Sequence, residues 1–130
     1  MRSLTLLHSG FSAIALLATL TAADAQTTSD AGQIAYNNAC RTCHSIREDE
    51  NRIGPSLYGI VGKRAGTLSG YDSSPAIRQS GIVWDEDTLD RFIANPDALV
   101  HGHAMRPYGG IASEEERQKI IGYLKSAAGN

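Results

Sequence analysis

The sequence predicts a helical chain without sheet, folded as a box around one covalently held cofactor. Three observations predict it. Apolar side chains recur at helical spacing behind residues able to cap a helix. There are no internal repeats and no convincing strands. Cys40-Arg41-Thr42-Cys43-His44 is a C-x-x-C-H run, the attachment signature of a c-type haem.

That run carries a specific chemistry. The two thiols add across the haem vinyl groups, and two intervening residues span the distance between them within one helical turn. The histidine directly after the second cysteine then lies under the iron and supplies an axial nitrogen. Two other uses of C-x-x-C compete: a thioredoxin-type redox pair and half of a zinc site. The chain has only these two cysteines, so a zinc site lacks ligands at short spacing. No βαβ pattern flanks the run, and His44 immediately follows it. A structural disulfide is the remaining use of paired cysteines in an exported protein.

Length and charge bound the rest. The chain has 130 residues and a net charge of −2, one domain's worth of sequence and an unlikely nucleic-acid binder by charge. Residues 1–25 read as a secretory signal: Arg2, then a largely apolar run from Phe11 to Leu20, then Ala23-Asp24-Ala25 as a small-x-small cleavage site. The mature domain is expected to be 26–130, beginning at Gln26. The other reading of the leader is an uncleaved anchor, but the apolar run is short of the ~20 residues a span requires. No long apolar segment follows it. A mature domain of this size buries a limited core, which a covalent haem would supplement.

The elements follow in order. Ser29 or Asp30 is expected to cap a first helix carrying Ile34, Tyr36 and Ala39 and running into the haem motif. Gly32 lies four residues before Tyr36 on one face. It signals either a second backbone coming close or a fraying first turn. The charged stretch 47–52 reads as solvated loop. Pro55 offers a carbonyl that could accept the Nδ1–H of His44, or it is an ordinary turn proline. Gly59, Gly62, Gly66 and Gly70 mark loop and lack the ending of a phosphate-binding motif. Ser74-Pro75 opens a short helix that ends before Gly81. Asp85 caps a helix with Leu89, Phe92 and Ile93 on one face, ended by Asn95-Pro96. Trp84, the only tryptophan, is either core or the donor of an indole N–H to a haem propionate. Residues 97–110 read as loop. Ser113 and Glu116 form a capping box for a last helix with Ile120, Ile121, Tyr123 and Leu124.

A six-coordinate haem transfers electrons with little rearrangement, whereas an open one binds small ligands; a second axial ligand is sought in that loop. Its candidates are Met105, His101 and His103. Once Met1 has left with the leader, Met105 is the single methionine of the mature chain. A methionine in a polar, glycine-bearing loop has no evident packing role, although a gap-filling side chain is the other reading. Thioether ligation raises the potential of a c-type haem, whereas either histidine would lower it.

Taken together, these residues resemble the class I c-type cytochromes of the mitochondrial cytochrome c and bacterial cytochrome c2 kind. The matching positions are Gly32, Tyr36, Cys40 to His44, Gly54-Pro55-Ser56-Leu57, Gly62 to Gly66, Gly70-Tyr71, Gly81 to Trp84, Asn95-Pro96, Met105, Ile120 and Tyr123. They cover essentially the whole of 26–130. The resemblance implies an all-α fold, helices wrapped around one haem c bonded to Cys40 and Cys43, with the first and last helices crossing at Gly32 among Tyr36, Ile120 and Tyr123. It implies His44 and Met105 as iron ligands, Pro55 as acceptor for the His44 ring and Trp84 as donor to a propionate.

Some positions depart from the family. Phe92 stands where a tyrosine often hydrogen-bonds near the methionine sulfur. Gly102-His103-Ala104 replaces Gly-Thr-Lys, so a threonine contact to a propionate is in doubt. Ser73 replaces a second tyrosine, and the aromatic after the methionine is displaced to Tyr108 or missing. Ala39, Asp97, Ala98 and Ala104 stand where mitochondrial relatives carry lysines at the haem edge. Arg41, Arg47 and Arg106 remain as rim charges or as plain solvated arginines.

The function this implies is a soluble, monomeric, periplasmic monohaem electron carrier of a Gram-negative bacterium. It is not an enzyme and has redox proteins as donor and acceptor. Two alternatives stand beside it: a cytochrome subunit of a periplasmic dehydrogenase, and a ligand-binding or peroxidatic haem protein with a labile Met105 bond.

Overall fold

The structure, a computed structural model, describes residues 20–127, with side chains from residue 27. Most of the expected leader, including Arg2 and the apolar run up to Thr19, lies outside the described residues. Among the described residues five helices appear in chain order: α1 (Leu20–Ala39), α2 (Pro75–Gln79), α3 (Glu86–Ala94), α4 (Pro96–Leu99) and α5 (Glu114–Ser126). Among the described residues there is no strand, only one isolated antiparallel bridge between Arg64 and Val83. The all-α expectation holds.

The first helix departs from the sequence reading at its start. It is continuous from Leu20, so neither Ser29 nor Asp30 caps it. Residues 20–29 contain no glycine or proline to interrupt a helix that has already begun. Of its apolar side chains, Ile34 is 60% exposed, while Ala35 and Tyr36 are buried. At about 100° per residue, Ile34 lies roughly 200° around the helix from Gly32. Gly32 is the residue that meets α5.

That meeting is close. A Cβ on Gly32 would lie 2.8 Å from Lys119 O and 3.0 Å from Tyr123 Cβ. The missing side chain is what lets the two backbones cross. Beside the crossing, the Tyr36 and Tyr123 rings sit 5.3 Å apart, tilted by 45°. Ile120, Ile121 and Leu124 are almost fully enclosed beneath it.

Capping sets the other boundaries. Ser74 accepts from Ile77 N and Pro75 occupies the first turn of α2. Asp85 and Thr88 form a reciprocal capping box at the start of α3, a pair the sequence reading did not single out. At α5 only half of the expected box forms. Ser113 accepts from Glu116 N, but the Glu116 carboxylate receives Lys119 Nζ at 3.0 Å instead. The loop expected after Pro96 begins with the short α4, because Asn95, which ends α3, also accepts from Ala98 N at 3.2 Å.

A partly buried ion pair joins α3 to α5. Arg117 Nε donates to Asp90 Oδ1 at 2.8 Å, and Arg117 Nη1 donates to the carbonyls of Ile111 and Ala112. Arg117 shares a helical stripe with Ile120, Ile121 and Leu124, and that position was the one sequence sign of its burial.

Candidate haem-binding site

The C-x-x-C-H run extends α1 by one turn. Cys43 N and His44 N both donate to Cys40 O, at 3.1 and 2.9 Å. The turn is fastened from two sides. Tyr36 Oη donates to His44 O at 2.9 Å. The segment after the charged loop runs alongside it in the same direction, with Gly54 N on Cys43 O at 2.8 Å and Leu57 N on Ser45 O at 2.7 Å. Arg52 Nη1 donates to Arg41 O at 2.9 Å, so part of that loop braces the motif rather than only facing water.

His44 is held in one orientation. Its Nδ1 lies 2.7 Å from Pro55 O. A carbonyl can only accept, so Nδ1 carries the proton and the neutral ring keeps its lone pair on Nε2. Burial lowers the pKa of His44, against a smaller opposing pull from the Pro55 bond, which favours that neutral form. Gly54 supplies the room: a Cβ there would stand 2.3 Å from His44 Cε1. The glycine next to Pro55 reads in sequence as an ordinary turn, so this requirement is invisible without coordinates.

Cys40 and Cys43 are not bonded to each other, and each is partly exposed. Burial and then the neighbouring Cys43 push Cys40 up to about 11. That is the opposite of the lowered value of a thioredoxin-type nucleophile. Among the described residues no group of three or more His, Cys, Asp or Glu side chains could hold a metal ion by itself.

α3 and the loop after α4 bring further residues to the same core. Trp84 is buried, stacked at a tilt on Phe92 at 5.1 Å. Two backbone bonds, Trp84 N to Lys63 O and Gly62 N to Trp84 O, fix its position. Phe92 next meets the edge of His103 at 5.7 Å. Met105 is half-buried against the same core, as are Cys40 and Tyr108. Tyr108 Oη donates to Ile93 O at 2.7 Å, which ties the loop beyond Met105 back to α3. Burial pushes its phenol up to about 12.

The two loop histidines differ. His101 is exposed. His103 is 3% exposed, and its Nδ1 accepts the Met105 N–H at 3.0 Å. Its Nε2 is enclosed by protein at 3.4 Å from Asp97 Oδ1, without hydrogen-bond geometry to it. The sequence reading treated His103 as a rival ligand; its nitrogens are turned into the loop.

The residues present fit a haem c. Two cysteines stand on one turn, beside an imidazole whose Nε2 lone pair is set free by Pro55, and the only methionine among the described residues lies against the same core.

Known proteins point the same way. Residues 27–124 match a family profile described as cytochrome c oxidase, cbb3-type, subunit III. A cytochrome c2 iso-2 of Magnetospirillum fulvum is 39% identical over 87 residues, 67% of this chain and 90% of that protein. The cytochrome c2 of Rhodopila globiformis is 39% identical over 95 residues, 73% of this chain and 89% of its own. Cytochrome cH from Methylobacterium extorquens superposes with a TM-score of 0.68 at 37% identity, covering 75% of this chain and 96% of that one. With the site's geometry, these likenesses establish that the chain belongs to the class I c-type cytochromes, monohaem electron carriers, and carries one haem c on Cys40 and Cys43.

Proposed function

We propose that the protein is an exported, periplasmic electron carrier in which His44 and Met105 ligate the haem iron in both oxidation states. It takes an electron from one redox protein and gives it to another without transforming a substrate. The observation that carries this reading is the His44–Pro55 bond at 2.7 Å. It aims a neutral imidazole nitrogen away from the backbone and fixes the ring, the usual arrangement for a ligating histidine. Ligation on both faces lets iron change oxidation state with little rearrangement.

Within that reading each side chain has one task. Cys40 and Cys43 hold the haem covalently, and the iron of the haem supplies the redox chemistry. Gly54 leaves space for the His44 ring, and Pro55 orients it. Trp84 gives its indole N–H to a propionate. Phe92 fills the methionine side with hydrocarbon and offers the sulfur no hydrogen bond.

Residues 1–25 direct export, and mature chain 26–130 is released as a monomer. No helix among the described residues is long and apolar enough to cross a membrane. The same haem chemistry would serve a dehydrogenase-bound subunit.

The test uses the protein purified from a periplasmic extract. Its first residue should be Gln26, and the ferrous form should leave carbon monoxide unbound at neutral pH. Ready carbon monoxide binding would contradict the carrier and favour an open, ligand-binding haem.

A further inference from the structure

His103 is the one side-chain group among the described residues with a fully enclosed polar atom that lacks a hydrogen-bond partner, its Nε2. An enclosed imidazole left half-satisfied is costly unless its other contacts compensate. The compensation runs toward Met105.

The Met105 amide donates to His103 Nδ1 at 3.0 Å. Nδ1 is therefore an acceptor, and the neutral ring carries its proton on Nε2. Nε2 lies 3.4 Å from Asp97 Oδ1 without hydrogen-bond geometry to it. Arg106 Nη2 donates to the same oxygen at 2.9 Å. His103 N in turn holds Val100 O at 3.2 Å, and the Phe92 edge closes the ring from the core side. The loop from Asp97 to Arg106 is thus closed on itself, with Met105 beside the closing Arg106.

We propose that His103 is a positioning residue for Met105: Nδ1 holds the methionine amide while the ring sits between the Phe92 edge and the Asp97–Arg106 pair, so the thioether stays presented to the haem. This rests on the reading of Met105 as an iron ligand. It gives His103 a task other than ligation, and one suited to a loop where Phe92 supplies no hydroxyl near the sulfur.

The test displaces Met105 from ferric holoprotein with added imidazole at fixed pH 7 and follows the weak far-red band of iron–thioether bonding. Losing one buried hydrogen bond should let His103→Leu bind imidazole roughly five- to tenfold more tightly than the unaltered protein. His103→Asn should stay within about twofold, because its amide oxygen can take the place of Nδ1. Asp97→Ala, which keeps the imidazole and loses the carboxylate, should tighten imidazole about threefold. Amide exchange at Met105 in the ferrous protein should quicken in His103→Leu and not in His103→Asn. Equal imidazole affinities in the Leu and Asn variants would overturn the proposal. If the Leu variant takes up no haem, an Asp97→Ala affinity equal to that of the unaltered protein overturns it instead. An unaltered protein without the far-red band would overturn Met105 ligation itself and this role with it. A band that is present but indifferent to His103 would sink only the positioning role.

Discussion

Single residues decide the haem site through space and protons. Gly54 is the sharpest case, since any Cβ would sit 2.3 Å from the His44 ring. Gly54→Ala should force His44 away from Pro55 O and lower the yield of low-spin holoprotein severalfold, read from the ratio of haem absorbance to protein. A wild-type yield would mean the ring has slack that the structure does not show. Asp90 decides a different matter. Its hydrogen bond to Arg117 is the main cause of its lowered pKa. A carboxylate with a depressed folded value adds stability that is complete above its unfolded value, about 3.9, and is lost as pH falls through the folded value. Asp90→Asn should therefore lower the unfolding midpoint at pH 7. The gap from wild type should close only in acid, below the depressed folded value. A gap that persists there would assign the effect to packing rather than charge. The sequence announced Cys40, Cys43 and His44 plainly, because the covalent chemistry requires that spacing. Met105 was legible as the only methionine of the expected mature chain, with His101 and His103 left beside it. Gly54, Asp90 and His103 were not legible as partners, because their roles depend on approaches across the fold between segments far apart in sequence.

At the scale of elements, the crossing of α1 and α5 is the main joint. Gly32 stands at it with Lys119 O 2.8 Å from where a Cβ would be. Gly32→Val should push the helices apart and cost on the order of 1–3 kcal/mol, as overpacking does. Denaturant unfolding of the holoprotein checks this. A value within ~0.5 kcal/mol of wild type would show that the joint can shift freely. The helix boundaries were legible wherever a cap or proline set them: Ser74-Pro75, Asp85, Asn95-Pro96 and Ser113 all stand where the structure places them. The start of α1 was not, because a cap residue inside a continuous run of helix-tolerant residues has nothing to terminate. α4 was missed because four residues give no periodicity to read. The box at Ser113 was half wrong because Lys119 competes for the Glu116 carboxylate.

For the whole molecule, charge governs how it meets partners. The net charge is −2, and several residues at the expected haem rim are alanine or aspartate. Of the rim arginines, Arg47 is paired with Glu50 at 3.3 Å and Arg106 with Asp97 at 2.9 Å. Long-range steering toward an acidic partner is correspondingly weak. Electron-transfer rates with a physiological partner should change less than about threefold between low and physiological salt. A steep fall with salt would place a concentrated positive face on the protein that its paired arginines do not provide.

The central claim is that His44 and Met105 together hold the iron. The direct measurement is the optical spectrum of the ferric, exported holoprotein beside that of Met105→Ala. The account predicts a low-spin spectrum with a weak far-red band that the variant loses. A low-spin spectrum without that band would transfer the second ligand to a histidine such as His101. A high-spin spectrum in the unaltered protein would contradict the carrier outright.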